Sequence, residues 1–118
     1  MLSLSSGYHY YIYRGATDFR CGMDSLSGIV RRELERDPLG GDIYIFFNRK
    51  RTQVKLLHFE GDGFALYQKR LERGTYELPA STDQDSIRLS SEALLLILRG
   101  IRLDSVRRRK RYSLPRAG

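Results

Sequence analysis

Ile43-Tyr-Ile-Phe-Phe47, Asn48-Arg-Lys-Arg-Thr52, Val54-Lys-Leu-Leu-His-Phe-Glu60, Gly61-Asp-Gly63 and Phe64-Ala-Leu-Tyr-Gln-Lys-Arg-Leu71 follow one another almost without a gap. The three longer runs are rich in aromatic and branched residues, which suit a pleated, half-buried surface. The pieces between them are short and polar. Gly61 and Gly63 supply positive φ at no steric cost, which marks a tight turn. Strands joined by such small turns pair most economically as an antiparallel meander.

Working outward, Arg73-Gly74 reads as another turn and Thr75–Leu78 as a short fourth strand. On the N-terminal side, Tyr8–Tyr13 is a further strand. Tyr8, Tyr10 and Ile12 then share one face, and Tyr11 and Tyr13 the other. Tyrosine there covers a half-buried sheet and bonds at its edge more readily than it offers a base-stacking platform. Between this strand and Ile43, residues Leu26, Ile29, Val30 and Leu34 recur at helical spacing, predicting a helix over 24–36 with Asp24 as its N-cap. Asp37-Pro38 and Gly40-Gly41 stop it. Residues 79–86 are loop-like in composition, and Ser90 or Ser91 caps a second helix over 90–99 that Gly100 ends. This helix is apolar nearly all round from Ala93 to Leu98, so it is either buried on all sides or meets a partner. The expected fold is a single α+β domain: a mostly antiparallel sheet of four or five strands packed with two helices. The domain takes residues 1–103, and 104–118 form a basic tail.

Composition agrees with a folded, soluble protein, since 41% of residues are hydrophobic and 30% charged. The longest apolar run is far shorter than the roughly 20 residues of a membrane span. The first residues lack a basic and then apolar leader pattern, and Cys21 is the only cysteine. A reducing, cytoplasmic location without a membrane partner is expected.

Charge is distributed unevenly. Residues 1–98 carry 13 basic and 13 acidic side chains, whereas residues 99–118 carry eight basic ones against Asp104. The whole excess of +7 therefore lies in the last twenty residues. Arg107, Arg108, Arg109, Lys110 and Arg111 are five adjacent cations that repel one another until a polyanion neutralises them. Tyr112 follows and is able to stack on a base. Arg49, Lys50 and Arg51 occupy a hairpin tip with Lys55 just beyond, a second place from which to reach phosphates. Lys69, Arg70 and Arg73 make a third basic group, for which a charged edge strand is an equally good account. Lys69 and Arg70 point to opposite faces, so at most one of them joins a given surface.

Motifs of catalysis are sparse. One Cys and two well-separated His (His9 and His58) do not make a zinc site. Asp18, Asp24 and Asp62 are the carboxylates to consider for a two-metal centre, and each has a simpler role in a turn or cap. No phosphate-cradling glycine loop occurs. The sequence is thus read as non-enzymatic and without a cofactor.

Several motifs occur together in order: Asp18-Phe-Arg20-Cys-Gly22-Met-Asp24-Ser-Leu26, the strand and Asn48-Arg-Lys-Arg51 before Val54-Lys55, Asp62-Gly-Phe64 leading into Tyr67–Gly74, and Arg99-Gly-Ile101 before the arginine run. Across residues 8–112 the chain resembles the TnpB, or second-reading-frame, accessory proteins of bacterial insertion sequences of the IS sixty-six type, which are not the RNA-guided nucleases sharing the TnpB name. The resemblance implies support of transposition beside a separate transposase. It supplies no catalytic residues. The chain departs from the family in lacking Trp near His58-Phe59 and in the tail, and in carrying Cys21 where Lys is frequent. Arg20 lies between two acids and is able to tie Asp18 or Asp24 into the loop.

Three readings of function remain. The first is a non-catalytic factor that binds DNA, with RNA open as an alternative, through Arg107–Arg111 and secondarily through Arg49, Lys50, Arg51 and Lys55. It would assist the transposase and associate with the nucleoid when bound. The second is an adaptor whose apolar second helix docks on the transposase or on another copy. The third is a small nuclease. Oligomeric state is left open by the sequence.

Overall fold

The structure, a computed structural model, describes residues 4–20, 22–79 and 86–99. Five strands form one sheet in the order β4-β3-β2-β1-β5: β1 (Tyr10–Ala16), β2 (Ile43–Phe47), β3 (Gln53–Phe59), β4 (Phe64–Arg70) and β5 (Ser86–Leu89). The hairpins β2–β3 and β3–β4 are antiparallel, as the short turns require. The β1–β2 pair is parallel, because the chain returns through helix α1 (Met23–Arg32) before pairing again. β5 closes the other edge antiparallel to β1.

β2 sits in the middle and all five of its residues are buried, which explains its unbroken apolar run. On one face, Tyr11, Tyr44, Phe46 and Leu57 pack with Leu26, Val30 and Leu34 from α1 and its C-terminal extension. On the other, Tyr10, Ile12, Ile43, Ile45, Phe47, Val54 and Leu56 pack with Leu94, Ile97 and Leu98 of helix α2 (Ser91–Leu98). The architecture is helix, sheet, helix, an α+β domain with a core on each side of the sheet.

Several expected boundaries change. The first strand starts at Tyr10, not Tyr8; the Tyr8 ring instead stands edge-on to His58, with centroids 4.8 Å apart. Helix α1 is capped by Gly22 rather than Asp24, so no side-chain cap bonds its N-terminus. Asp24 falls inside that turn, where its charge complements the helix dipole. The helix stops at Arg32, short of the expected residue 36. Glu35 then takes a left-handed φ of 54°. The departing chain lays Arg36 over the Tyr11 ring at 4.0 Å and pairs it with Asp42 at 3.0 Å.

Thr75–Leu78 is not a strand. The Tyr76 N–H donates to the Arg51 carbonyl at 2.7 Å, a single bond rather than a ladder. Tyr76 itself is 1% exposed and packs against Phe47, with ring centroids 5.4 Å apart. The fifth strand is Ser86–Leu89, and its first residue falls in the stretch that is loop-like in composition. Ile87 and Leu89 lie opposite Ile12 and Tyr10 there, with Arg88 on the other face. Ser90 caps α2, its hydroxyl accepting from the Ala93 N–H at 3.1 Å.

Candidate nucleic-acid interface

The β2–β3 turn is built by Asn48. Its Oδ1 accepts from the N–H groups of Thr52 and Gln53, each at 2.9 Å, and its Nδ2 donates to the Thr52 hydroxyl at 3.0 Å. The Arg51 N–H closes the turn on the Asn48 carbonyl at 3.0 Å, with Arg51 at a left-handed φ of 56°. A short amide side chain that bonds the backbone two to five residues on suits such a turn. With the backbone so fully engaged inward, the side chains of Arg49, Lys50 and Arg51 are all exposed.

The same end of the sheet receives β4. Arg70 lies opposite Gln53 and Lys69 opposite Val54, so the two cations are on opposite faces of one strand end, and both are exposed. The Leu71 N–H then bonds the Thr52 carbonyl at 2.8 Å, and the Tyr76 N–H takes the Arg51 carbonyl. These two bonds lay the 71–76 segment, with exposed Arg73, beside the β2–β3 turn. Two basic groups that are separate in sequence thus share one end of the fold. Among the described residues, none of Arg49, Lys50, Arg51, Lys69, Arg70 and Arg73 is in an ion pair.

Lys55 is placed differently. It is 5% exposed, its Nζ donates to the Phe19 carbonyl at 2.9 Å, and it lies 4.9 Å from the centroid of the Phe19 ring. A buried ammonium that has a carbonyl and a ring face as partners is a structural cation. Its proximity to the hairpin tip in sequence does not bring it to the surface, because Lys55 faces the side of the sheet that the 17–20 loop covers. That loop is held in turn by Arg20, which makes a 2.6 Å ion pair with Asp18. The Arg20 guanidinium, with help from the Arg20 backbone N–H, draws the Asp18 carboxyl down to about 2. Arg20 therefore pairs with Asp18, as the sequence allowed.

Arg107, Arg108, Arg109, Lys110 and Arg111 lie outside the described residues. Tyr10, Tyr11 and Tyr44 are all buried, so the tyrosines of the central strands serve the core. α2 keeps Leu95 38% exposed, while Leu94, Ile97 and Leu98 are buried. At the opposite end of β1 lies an open cleft of about 510 Å³ that includes His9, Arg88, Ser90 and Glu92, with the Arg88 guanidinium against His9 Nδ1. Among the described residues there is no group of three His, Cys, Asp or Glu side chains able to hold a metal. No helix among them is long and apolar enough to cross a membrane.

Sequence reasoning missed the joining of Lys69, Arg70 and Arg73 to the hairpin tip. The signal was available: the antiparallel register of two short-turn hairpins returns the end of β4 to the start of β3. It also missed Phe19 as the cover of Lys55, a contact 36 residues apart that no local pattern announces.

The model of the IS66 Orf2 like protein family matches residues 8–108, nearly the whole chain and every element from β1 through α2. The chain belongs to the IS66 Orf2-like family. Two Sinorhizobium fredii (strain NBRC 101917 / NGR234) proteins are similar to it. One, described as uncharacterized protein y4hO, is 35% identical over 86% of this chain and 87% of its own length. The other, uncharacterized protein y4jC, is 29% identical over 92% of each. No solved structure matches. Family membership makes this IS66 Orf2-like chain an accessory protein of an insertion sequence, and that family is not a known catalytic one.

Proposed function

We propose that this IS66 Orf2-like protein assists its element's transposase by binding DNA without cutting it. The observation that carries this reading is the placement of charge: a body that sums to zero over residues 1–98, then a tail that holds the entire excess of +7. Arg107, Arg108, Arg109, Lys110 and Arg111 supply phosphate contacts and release condensed counterions. Arg49, Lys50 and Arg51 form a second, folded point of contact. Lys55 is left out of the set because its ammonium is buried and engaged. The protein acts in the cytoplasm, on the nucleoid when DNA-bound.

Binding of the full chain to duplex DNA across a salt series tests this. The five tail contacts alone contribute about −4.5 to the log–log slope, at roughly −0.9 per phosphate, and the folded contacts add to it. Neutralising the tail in the intact chain (Arg107→Gln, Arg108→Gln, Arg109→Gln, Lys110→Gln, Arg111→Gln) removes the tail's share of about 4.5 and leaves that of the folded contacts. An unchanged slope removes the tail from the account.

A second reading rests on Leu95, which is exposed on an otherwise apolar α2. There the protein is an adaptor that docks α2 on the transposase or on a second copy. Light scattering with Leu95→Glu checks the self-association arm: a dimer that this change splits supports it, and a monomer leaves the transposase as partner.

A further inference from the structure

We infer that the end of the sheet formed by the β2–β3 turn, the last residues of β4 and the segment after it is one duplex-backbone clamp, separate from the tail. The inference rests on the reading that the protein binds nucleic acid and adds a site within the folded body. Arg49, Lys50, Arg51, Arg70 and Arg73 come from two stretches 19 or more residues apart and are gathered by the β3–β4 register and by the bonds from Leu71 to Thr52 and from Tyr76 to Arg51; Lys69, on the opposite face from Arg70, stays outside the group. All five are exposed, and none is in an ion pair among the described residues. Three cations elsewhere in the described body have a partner of their own: Arg20 has Asp18, Arg36 has Asp42 and Lys55 has the Phe19 carbonyl. The carboxylates on the same segment are Glu72 and Glu77, too few to neutralise five cations.

Geometry narrows the ligand. Three adjacent strand ends span about 10 Å at roughly 4.8 Å per strand. Duplex DNA carries a charge every 1.7 Å or so of its axis, so a clamp of that width meets several phosphates at once. The aromatic rings at this end, Phe47 and Tyr76, are buried in the core and offer no platform to an unstacked base. Backbone phosphates of a duplex, rather than the bases of a single strand, are what this surface fits. The turn is preorganised by Asn48, so little side-chain-independent ordering accompanies binding.

The test uses the full chain, a short synthetic duplex and one strand of it, over a potassium chloride series. In the sheet-end variant Arg49→Gln, Lys50→Gln, Arg70→Gln and Arg73→Gln are combined. Arg51 is left in place because its left-handed φ and its carbonyl hold the turn. Four contacts at about 0.9 each lower the duplex slope by about 3 to 4. A charge-preserving companion (Arg49→Lys, Lys50→Arg, Arg70→Lys, Arg73→Lys) keeps the parent slope; if it loses slope as the neutral variant does, charge is not what binds and the clamp is overturned. The tail-neutralised chain separates the two sites. If it loses all salt dependence while the sheet-end variant matches the parent, the clamp is wrong and the tail reading stands. If the sheet-end variant loses slope and the tail-neutralised chain does not, the clamp stands alone. Tighter binding to the single strand than to the duplex overturns the duplex assignment.

Discussion

Two sets of cations, both read from sequence as able to reach phosphates, behave differently in the fold. Lys55 is one strand pairing away from the hairpin tip, yet it is buried under Phe19 and bonded to that residue's carbonyl. Arg49, Lys50 and Arg51 sit at the tip with their side chains outside. The difference arises from the backbone. Asn48 and the Tyr76 N–H draw the turn's polar groups inward and leave its side chains in water, whereas alternation along β3 points Lys55 at the face that the 17–20 loop covers. A basic residue is available to a partner when the fold gives it none of its own.

The largest expected effect breaks the comparison if it fails. The sheet-end variant lowers duplex affinity by about a thousandfold near 0.1 M salt, as four lost phosphate contacts require. Its thermal unfolding should stay within about 0.5 kcal/mol of the parent, because exposed side chains away from the core are being changed. Lys55→Met should do the reverse. It keeps the apolar stem but leaves the Phe19 carbonyl without its donor and the ring without its cation, a loss of about 2 kcal/mol in urea unfolding with the DNA salt slope unchanged. A lowered slope in this variant would place Lys55 among the DNA contacts after all.

Two smaller effects sharpen the picture of how the clamp end is held. The Tyr76 hydroxyl is buried without a hydrogen-bond partner among the described residues, and burial pushes its pKa up to about 12. Tyr76→Phe removes an unsatisfied polar atom and keeps the ring on Phe47, so stability rises by about 1 kcal/mol in chemical denaturation. A fall instead would reveal a partner for that hydroxyl. Asp18→Asn gives the smallest change. The Asp18 carboxyl is held at about 2, below its ordinary 3.8, by Arg20. A depressed folded-state value means that the pair's contribution is present above the unfolded pKa and is lost as pH falls through about 2. Both side chains are exposed, so salt screens the pair. The acid limb of a pH–stability curve between these values should flatten slightly in the variant, and more at low salt than at high.

Much of this fold is legible locally. The run from Ile43 to Leu71 fixes three strands and two turns to within a residue or so, because strand-forming residues alternate with glycine- and asparagine-bearing turns over a short span. The apolar spacing of Leu26, Val30 and Leu34 marks the core side of α1. What escapes is non-local. Tyr76 looks like a strand residue but is an anchor that crosses back over the sheet to Phe47. Ser86–Leu89 is too short for its alternation to stand out, and it becomes a strand because Tyr10–Tyr13 offers it an edge. For the candidate site, the identity of the basic residues is readable, while their grouping is not: Arg73 joins Arg51 only through hydrogen bonds that follow from the β3–β4 register. The family itself is readable from several motifs in order, and the match over residues 8–108 agrees with that reading.

The most direct test of the central claim, that unpartnered rather than buried cations contact DNA, is a nuclear magnetic resonance titration of the isotope-labelled full chain with a short duplex. The account predicts that signals of Arg49, Lys50, Arg51, Arg70 and Arg73, together with those of Arg107–Arg111, shift progressively and return as salt is raised, while Lys55 and Phe19 stay in place. Shifts confined to Leu95 and its neighbours on α2, or their absence throughout at low salt, would contradict it and move the protein's work to contact with the transposase.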